Sequence, residues 1–430
     1  MRKILYVILL LLVSITANAR SVITDTETEK LVNEIIAPIA RAADVSHLKI
    51  HIIGDDDFNA FVSGGDDVYI YTGLLKQIKT PNALQAVIAH ELGHTIGGHM
   101  AQMSAQMDAE LMRTMIIQAL GVGLMVAGGN PSLGAGVLAG GTGIANQSLM
   151  AFSRDEERIA DTMAIDLLVR AKQNPNGLIT VFEQMQEMTS AMESKINPNR
   201  VNHPLTMERL KNARDKIASL KYNYDASVYD KWNRQYELVR AKLVGYLDPL
   251  DRVHVLYPNS DKSDAAIYAR AIANMRGGNL ESARIGTLTL ISRDTKNPYF
   301  YELFGDIEYQ FGHYDDSVNA YEKALEYVSD APQIQTALAL VLSDRKKPGD
   351  TDRAIELTKT AILSEPSPLA YWVMARAYGE DARAYWAMAE FYKLNGNEKQ
   401  AREYAKRARK SLPTSSPEYI KSGDILNSVK

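Results

Sequence analysis

The chain contains no cysteine among its 430 residues. This absence excludes disulfide bridges, zinc sites built on thiolates and catalysis by a cysteine nucleophile. A strong charge of either sign is also missing, since 48 basic and 52 acidic residues leave a formal net charge of −4. So mild a charge gives no reason to expect nucleic acid as a partner. The length, in contrast, is ample and predicts two or more domains.

The first residues have the pattern of a targeting signal. Met1-Arg2-Lys3 is positively charged, Ile4–Val13 is apolar, and Ala17-Asn18-Ala19 supplies the small residues of a cleavage site. The apolar run is shorter than the roughly 20 residues that a membrane span needs. The sequence therefore predicts a cleaved secretory signal over residues 1–19 and, without cysteine, the periplasm of a two-membraned bacterium.

The segment His90-Glu91-Leu92-Gly93-His94 has the HExxH spacing of zinc peptidases. Residues four apart share one face of a helix, so both imidazoles can bind one metal ion. Glu91 lies about 100° round the same turn, where its carboxylate reaches a water rather than the metal. The spacing predicts one zinc ion per chain, with Glu91 as the general base of peptide hydrolysis.

A third ligand is expected from the predicted helix that begins near Arg154. Glu157 and Asp161 are again four residues apart in this segment. Glu157 would complete a site of two histidines and one glutamate, which leaves the fourth position open as catalytic zinc sites do. Asp161 would accept a hydrogen bond from a ligand imidazole. Taken alone, these carboxylates also fit a solvated helix face, but the HExxH segment favours the metal site.

A metzincin site is excluded by counting residues. That class needs a histidine six residues after the second histidine of HExxH, and Met100 stands there. His99 comes one residue too early and would point away from the ligand face. Glutamate is therefore the better third ligand.

The remainder of this half predicts a small α+β domain over residues 20–220. Leu31–Ala43 has helical spacing, and Leu48–Ile53, Phe58–Val62 and Val68–Tyr71 read as strands, the last two forming a hairpin.

Two further segments in this half leave alternatives open. Residues 115–153 carry no charge and are rich in glycine, which favours a mobile apolar flap over the cleft, with peripheral membrane contact as the alternative. His203, followed by Pro204, is a candidate oxyanion donor or a removable cap on the zinc, or it is structural. Arg209, at the start of the next predicted helix, could stabilise the same charge or hold the loop through a carboxylate.

The C-terminal part of the chain repeats at an interval of 34 residues. Gly278-Asn279-Leu280 is followed at that interval by Gly312-His313-Tyr314, and further glycines, alanines and tyrosines fall on the tetratricopeptide pattern. We therefore expect a linker over residues 221–262 and a tetratricopeptide domain over residues 263–420. Stacked helix pairs of this kind usually bind extended peptides or partner proteins, although a structural spacer remains open.

Together these features resemble a known peptidase family. His90-Glu91-Leu92-Gly93-His94, the segment from Ser153 to Asp161 and His203-Pro204 resemble the zinc endopeptidases that include HtpX and the CAAX-processing proteases. The signal sequence and the C-terminal repeats resemble the periplasmic branch of that family, the BepA-like (YfgC-like) beta-barrel assembly-enhancing proteases.

This resemblance implies a gluzincin-like zinc peptidase domain, mainly helical with a small β-hairpin or sheet, followed by an all-α tetratricopeptide solenoid. It implies a zinc ion on His90, His94 and Glu157, Glu91 as general base, and a loop at His203 over the site. Unfolded or stalled outer-membrane proteins would be the substrates, and the barrel-assembly machinery a partner of the repeats.

Two other functions are compatible with the same residues. One is a chaperone or assembly scaffold for outer-membrane beta-barrel proteins whose zinc site is largely latent. The other is a sheddable or membrane-inserted protease that uses the glycine-rich residues 115–153.

Overall fold

The computed structural model describes residues 21–45, 48–63, 66–96, 154–191, 203 and 205–428. The expected signal over residues 1–19, His99 and the expected flap over residues 115–153 lie outside these described residues. Contact between residues divides the described chain into a first unit that ends at Arg240 and a second that begins at Ala241.

The first unit contains a four-stranded sheet. Its strands are β1 (Ser21–Ile23), β2 (Lys49–Gly54), β3 (Ala60–Ser63) and β4 (Asp67–Tyr71), in the spatial order β1-β2-β4-β3. The predicted hairpin is present, because β3 and β4 pair antiparallel, whereas β2 and β4 pair parallel. Strand β1 pairs antiparallel with β2 and was not predicted, since three residues are too few to show an alternating pattern.

Helices make up the larger part of this unit. They are α1 (Thr26–Ala42), α2 (Thr72–Gln77), α3 (Pro81–Ile96), α4 (Arg154–Arg170), α5 (Asn176–Ala191), α6 (Met207–Ser219) and α7 (Ala226–Leu247). Helix α3 is buried around most of its circumference, as a helix in the middle of a domain should be. Even its Gln85 is fully buried, where its amide donates to the carbonyl oxygen of Ile35 at 2.7 Å.

The segment 221–262, which the sequence assigns to a linker, contains helix α7 and helix α8 (Leu250–Leu256). Trp232 and Tyr236 lie four residues apart on α7, and both are buried. The Trp232 indole donates to Glu34 Oε1 at 3.1 Å, and the Tyr236 hydroxyl donates to the carbonyl oxygen of Leu75 at 3.1 Å. The tyrosine-rich composition therefore belongs to a packed helix face, and the boundary between the two units falls inside this helix.

The second unit is built from helices that pack in sequence-adjacent pairs. They are α9 (Asp264–Arg276), α10 (Leu280–Arg293), α11 (Pro298–Phe311), α12 (Tyr314–Tyr327), α13 (Pro332–Arg345), α14 (Asp350–Ser364), α15 (Pro368–Tyr378), α16 (Arg383–Leu394), α17 (Glu398–Ser411) and α18 (Pro417–Ser428). The expected order of an α+β domain followed by an all-α region is confirmed.

The repeat residues do the packing that their positions predict. A Cβ on Gly305 of α11 would stand 2.9 Å from the ring of Tyr321 on α12, so glycine permits the close crossing of this helix pair. Gly312 ends α11 with a φ of +82°, a left-handed conformation that glycine adopts without strain.

Among all the helices described in both units, none has the length and apolar character needed to cross a bilayer.

Candidate metal centre

Helix α3 carries three of the predicted site residues. His90 and His94 lie on one face of this helix, with their Nε2 atoms 3.1 Å apart and their rings nearly perpendicular. Glu91 lies beside them, and all three residues are buried, with exposed fractions of 6% or less. The buried helix therefore fixes both imidazoles without competition from bulk water.

Helix α4 brings the predicted carboxylates to the same place. Glu157 Oε2 lies 3.5 Å from His90 Nε2, and Glu157 Oε1 lies 3.4 Å from His94 Nε2. Asp161, one turn further along α4, places Oδ1 at 3.0 Å from His90 Nδ1, on the far side of that ring. Glu157 thus faces the space between the two imidazoles, while Asp161 lies behind the His90 ring, on its Nδ1 side.

These atoms fit a tetrahedral cation such as zinc. Ligand bonds of about 2.0–2.1 Å would place the ligand atoms of a tetrahedron roughly 3.3–3.4 Å apart. The three distances among His90 Nε2, His94 Nε2 and the Glu157 oxygens run from 3.1 to 3.5 Å. Two imidazole nitrogens and one carboxylate are also a donor set that zinc prefers.

The electrostatics of the cluster favour an ionised carboxylate beside the imidazoles. Burial alone would raise the pKa of Glu157, but His203, His90 and His94 outweigh it and hold that pKa well below its ordinary value. Burial would lower the pKa of His90, yet Asp161 and Glu157 raise that pKa to about 9. Burial lowers the pKa of His94. The cluster is therefore one that concentrates negative charge around a position for a cation.

His203 joins the cluster from a distant part of the chain. Its Nδ1 lies 2.7 Å from Glu157 Oε1 and 3.4 Å from His90 Nε2. Its Nε2 lies 3.5 Å from Glu91 Oε1. His90, His94, Glu157 and His203 each offer a possible ligand atom, and these atoms lie within 4.8 Å of one another. All six site residues predicted from the sequence therefore meet in one place.

One further residue, Arg209 on α6, was not among those six, and the sequence left its role open. It is 7% exposed and forms two hydrogen bonds of 2.8 Å with the Asp161 carboxylate. Its Nη1 also lies 2.6 Å from Glu157 Oε2. The signals in the sequence are its position six residues after His203 and its place at the start of a predicted helix, and neither says which carboxylate the arginine contacts.

Comparisons with known proteins agree with this chemistry. Residues 26–217 match the family model of peptidase family M48. The chain is 24% identical over 297 residues to the beta-barrel assembly-enhancing protease of Escherichia coli (strain K12), a match that covers 67% of this chain and 59% of that protein. It is 30% identical over 167 residues to the metalloprotease YcaL of the same strain, covering 38% of this chain and 60% of that protein.

Another match reaches into the second unit. The beta-barrel assembly-enhancing protease of Yersinia pestis is 23% identical over 359 residues, which is 82% of this chain and 72% of that protein. Among solved structures, a thermophilic TPR protein of Thermus thermophilus is 17% identical and covers 45% of this chain and 93% of that chain, with a TM-score of 0.27. With so low a score, only the helix packing within this chain shows the architecture of the repeats.

Proposed function

The chain carries a metallopeptidase domain of family M48 over residues 26–217, and from this premise we propose that it is a periplasmic zinc-dependent endopeptidase. One zinc ion per chain would be held by His90, His94 and Glu157. The observation that carries the proposal is the convergence of these three side chains from two helices, with donor atoms 3.1–3.5 Å apart.

Each neighbouring side chain has a part in hydrolysis. When bound, zinc supplies polarisation of the scissile carbonyl and eases the deprotonation of water. Glu91 would accept the proton of the attacking water and pass it to the leaving amide nitrogen. Asp161, 3.0 Å from His90 Nδ1, would keep the other nitrogen of that ring turned towards the metal position.

His203 would control access to the site. Its contacts of 2.7 Å with Glu157 and 3.5 Å with Glu91 support a role as a cap on the position where water and substrate must enter. With the cap withdrawn, the same imidazole could donate a hydrogen bond to the developing oxyanion. The proposed enzyme is therefore latent until His203 moves.

The proposed substrates are unfolded or stalled outer-membrane proteins, and the proposed partner of the second unit is the barrel-assembly machinery. Support comes from the relatives named beta-barrel assembly-enhancing proteases and from the paired helices, an architecture that binds peptides or partner proteins. The match spans 59% of the length of the Escherichia coli relative.

The test compares purified wild type with the Glu91→Gln variant of the whole chain. We expect one zinc per chain in both proteins. In the His203→Ala background, which removes the proposed cap, we expect cleavage of casein and of an unfolded outer-membrane porin only by the protein that keeps Glu91. Absence of zinc from wild type, or equal cleavage by the His203→Ala proteins with and without the Glu91→Gln change, would reject the proposal.

The second candidate is an assembly scaffold with a latent zinc site, which the contacts of His203 favour. Cells that contain only the Glu91→Gln protein separate the two. A scaffold would still support normal levels of outer-membrane barrels in those cells, whereas a protease would leave stalled barrels uncleared.

A further inference from the structure

The Arg209 guanidinium contacts both carboxylates that helix α4 contributes to the metal centre, Glu157 and Asp161. Its Nε and Nη2 donate to the two oxygens of Asp161 at 2.8 Å each, in a bidentate pair. Its remaining nitrogen, Nη1, lies 2.6 Å from Glu157 Oε2. This last contact is electrostatic, since it does not meet hydrogen-bond geometry and Glu157 Oε2 has no hydrogen-bond partner within the described residues.

The spacing of the two carboxylates explains why one side chain can serve both. Glu157 and Asp161 lie four residues apart and so share one face of α4. A guanidinium group presents its N–H donors in a rigid plane, so two of its nitrogens can hold Asp161 while the third faces Glu157. A lysine ammonium has a single nitrogen and cannot reproduce the bidentate pair with Asp161 together with the contact to Glu157.

Both the backbone and the guanidinium of Arg209 are held in place. Thr206 caps the start of α6 by accepting a hydrogen bond from the Arg209 amide at 3.2 Å. The charged group also lies over the ring of Phe182 on α5, 5.0 Å from its centroid. Because its side chain is only 8% exposed, water screens these contacts little.

Charge gives Arg209 a second role. Glu91, Glu157 and Asp161 place three carboxyl groups in one buried cluster, where like charges disfavour one another. Arg209 adds a compensating charge from the side of α6, and its contacts with Glu157 and Asp161 are made to carboxylate oxygens. It can therefore stabilise these carboxylates while the imidazole nitrogens of α3 face the position of the cation.

We propose that Arg209 is a positioning residue of the metal centre, which sets the direction of the Glu157 carboxylate and holds Asp161 against His90. This inference rests on the proposed zinc site. Removal of a partner that orients metal ligands typically weakens metal binding by about 10- to 100-fold. We expect a loss of zinc affinity of that size for Arg209→Met. We expect a smaller loss for Arg209→Lys, which keeps the positive charge but not the planar set of N–H donors.

The experiment measures zinc affinity by competition with a chelator and records the visible spectrum of the cobalt-substituted protein. Arg214→Met is the matched control, because Arg214 lies on the same helix and forms an exposed ion pair of 2.7 Å with Glu183. The expected result is weakened zinc binding and an altered cobalt spectrum in Arg209→Met, with wild-type values in the control.

Zinc affinity within twofold of wild type and an unchanged cobalt spectrum in Arg209→Met would overturn the positioning role alone. If Arg209→Met does not fold, Arg209→Lys tests the positioning role instead. A cobalt spectrum and a zinc affinity equal to those of wild type in Arg209→Lys would show that the planar set of donors is dispensable. Wild type without any zinc would instead reject the metal site on which the inference rests.

Discussion

A Cβ built on Gly93 would stand 2.9 Å from the carbonyl oxygen of Ala160 and 3.1 Å from its Cα. The backbones of α3 and α4 therefore cross almost in contact. The crossing lies beside the site, because Gly93 directly precedes His94 and Ala160 directly precedes Asp161. A glycine at this crossing allows the carboxylates of one helix to reach the imidazoles of the other.

Gly93→Ala should loosen the metal centre. The added methyl group must push the helices apart by a few tenths of an ångström, at a cost of about 1–3 kcal/mol for overpacking, offset in part by about 1 kcal/mol of better helix propensity. We expect weaker zinc binding together with a decrease in the free energy of unfolding of about 2 kcal/mol or less. Gly286→Ala on α10 is the control. The two atoms nearest to its added Cβ would be the Ala271 Cβ at 3.3 Å and the Ile267 Cγ2 at 3.6 Å, which belong to side chains and not to a crossing backbone. Equal zinc affinity in both variants would contradict the prediction.

His94→Ala should abolish both zinc binding and cleavage. The imidazole is 1% exposed and faces His90 and Glu157, so its removal leaves the metal position with one imidazole and one carboxylate from helices α3 and α4. His51→Ala offers a matched control, because that histidine pairs with Asp67 at 2.8 Å on the sheet. Zinc content by mass spectrometry of the native protein and a casein assay give the two readouts. Stoichiometric zinc in the His94→Ala protein would disprove its role as a ligand.

His203→Ala should increase cleavage of unfolded protein without loss of zinc. Its ring fills the space against Glu157 and Glu91, and its removal opens that space to water and substrate. The measurement is the initial rate of casein cleavage at equal zinc content. A rate that falls well below wild type would instead favour His203 as a donor to the oxyanion, and an unchanged rate would make it structural.

Asp306 in helix α11 should make the second unit less stable as pH rises. Desolvation, and then the charge of Glu302, raise its pKa to about 7, against the opposing effects of Tyr321, Lys242 and Tyr246. Below the pKa of the unfolded carboxyl, both states are protonated. Between that value and about 7 the folded state binds the proton more tightly, so the free energy of unfolding falls as pH rises and levels off above.

This dependence can be measured by guanidinium-induced unfolding of the whole chain at about pH 5 and about pH 8. Over this range the free energy of unfolding of the wild type should fall by at most about 3 kcal/mol, at about 1.36 kcal/mol for each of the roughly two pH units between 5 and 7. The Asp306→Asn variant should lack this decrease. A variant that keeps the full decrease of wild type would show that other groups cause it.

Several features of this protein were readable from short stretches of sequence. The interval of four residues between His90 and His94, and again between Glu157 and Asp161, fixes which side chains share a helix face. The glycine and tyrosine positions of the repeats likewise predict paired helices, as Gly305 and Tyr321 show. These predictions succeed because backbone geometry alone converts a spacing in the chain into a direction in space.

Other features depend on contacts between distant parts of the chain. His203 lies 113 residues beyond His90, and Arg209 lies 48 residues beyond Asp161. No local spacing encodes which carboxylate an arginine meets, and none encodes whether a tyrosine-rich segment is a linker or, as with Tyr236, a packed helix. The sequence alone determined the candidate zinc ligands and the two kinds of domain. Only the tertiary structure decided how closely α3 and α4 cross and which cation holds their carboxylates, because packing between helices sets those distances.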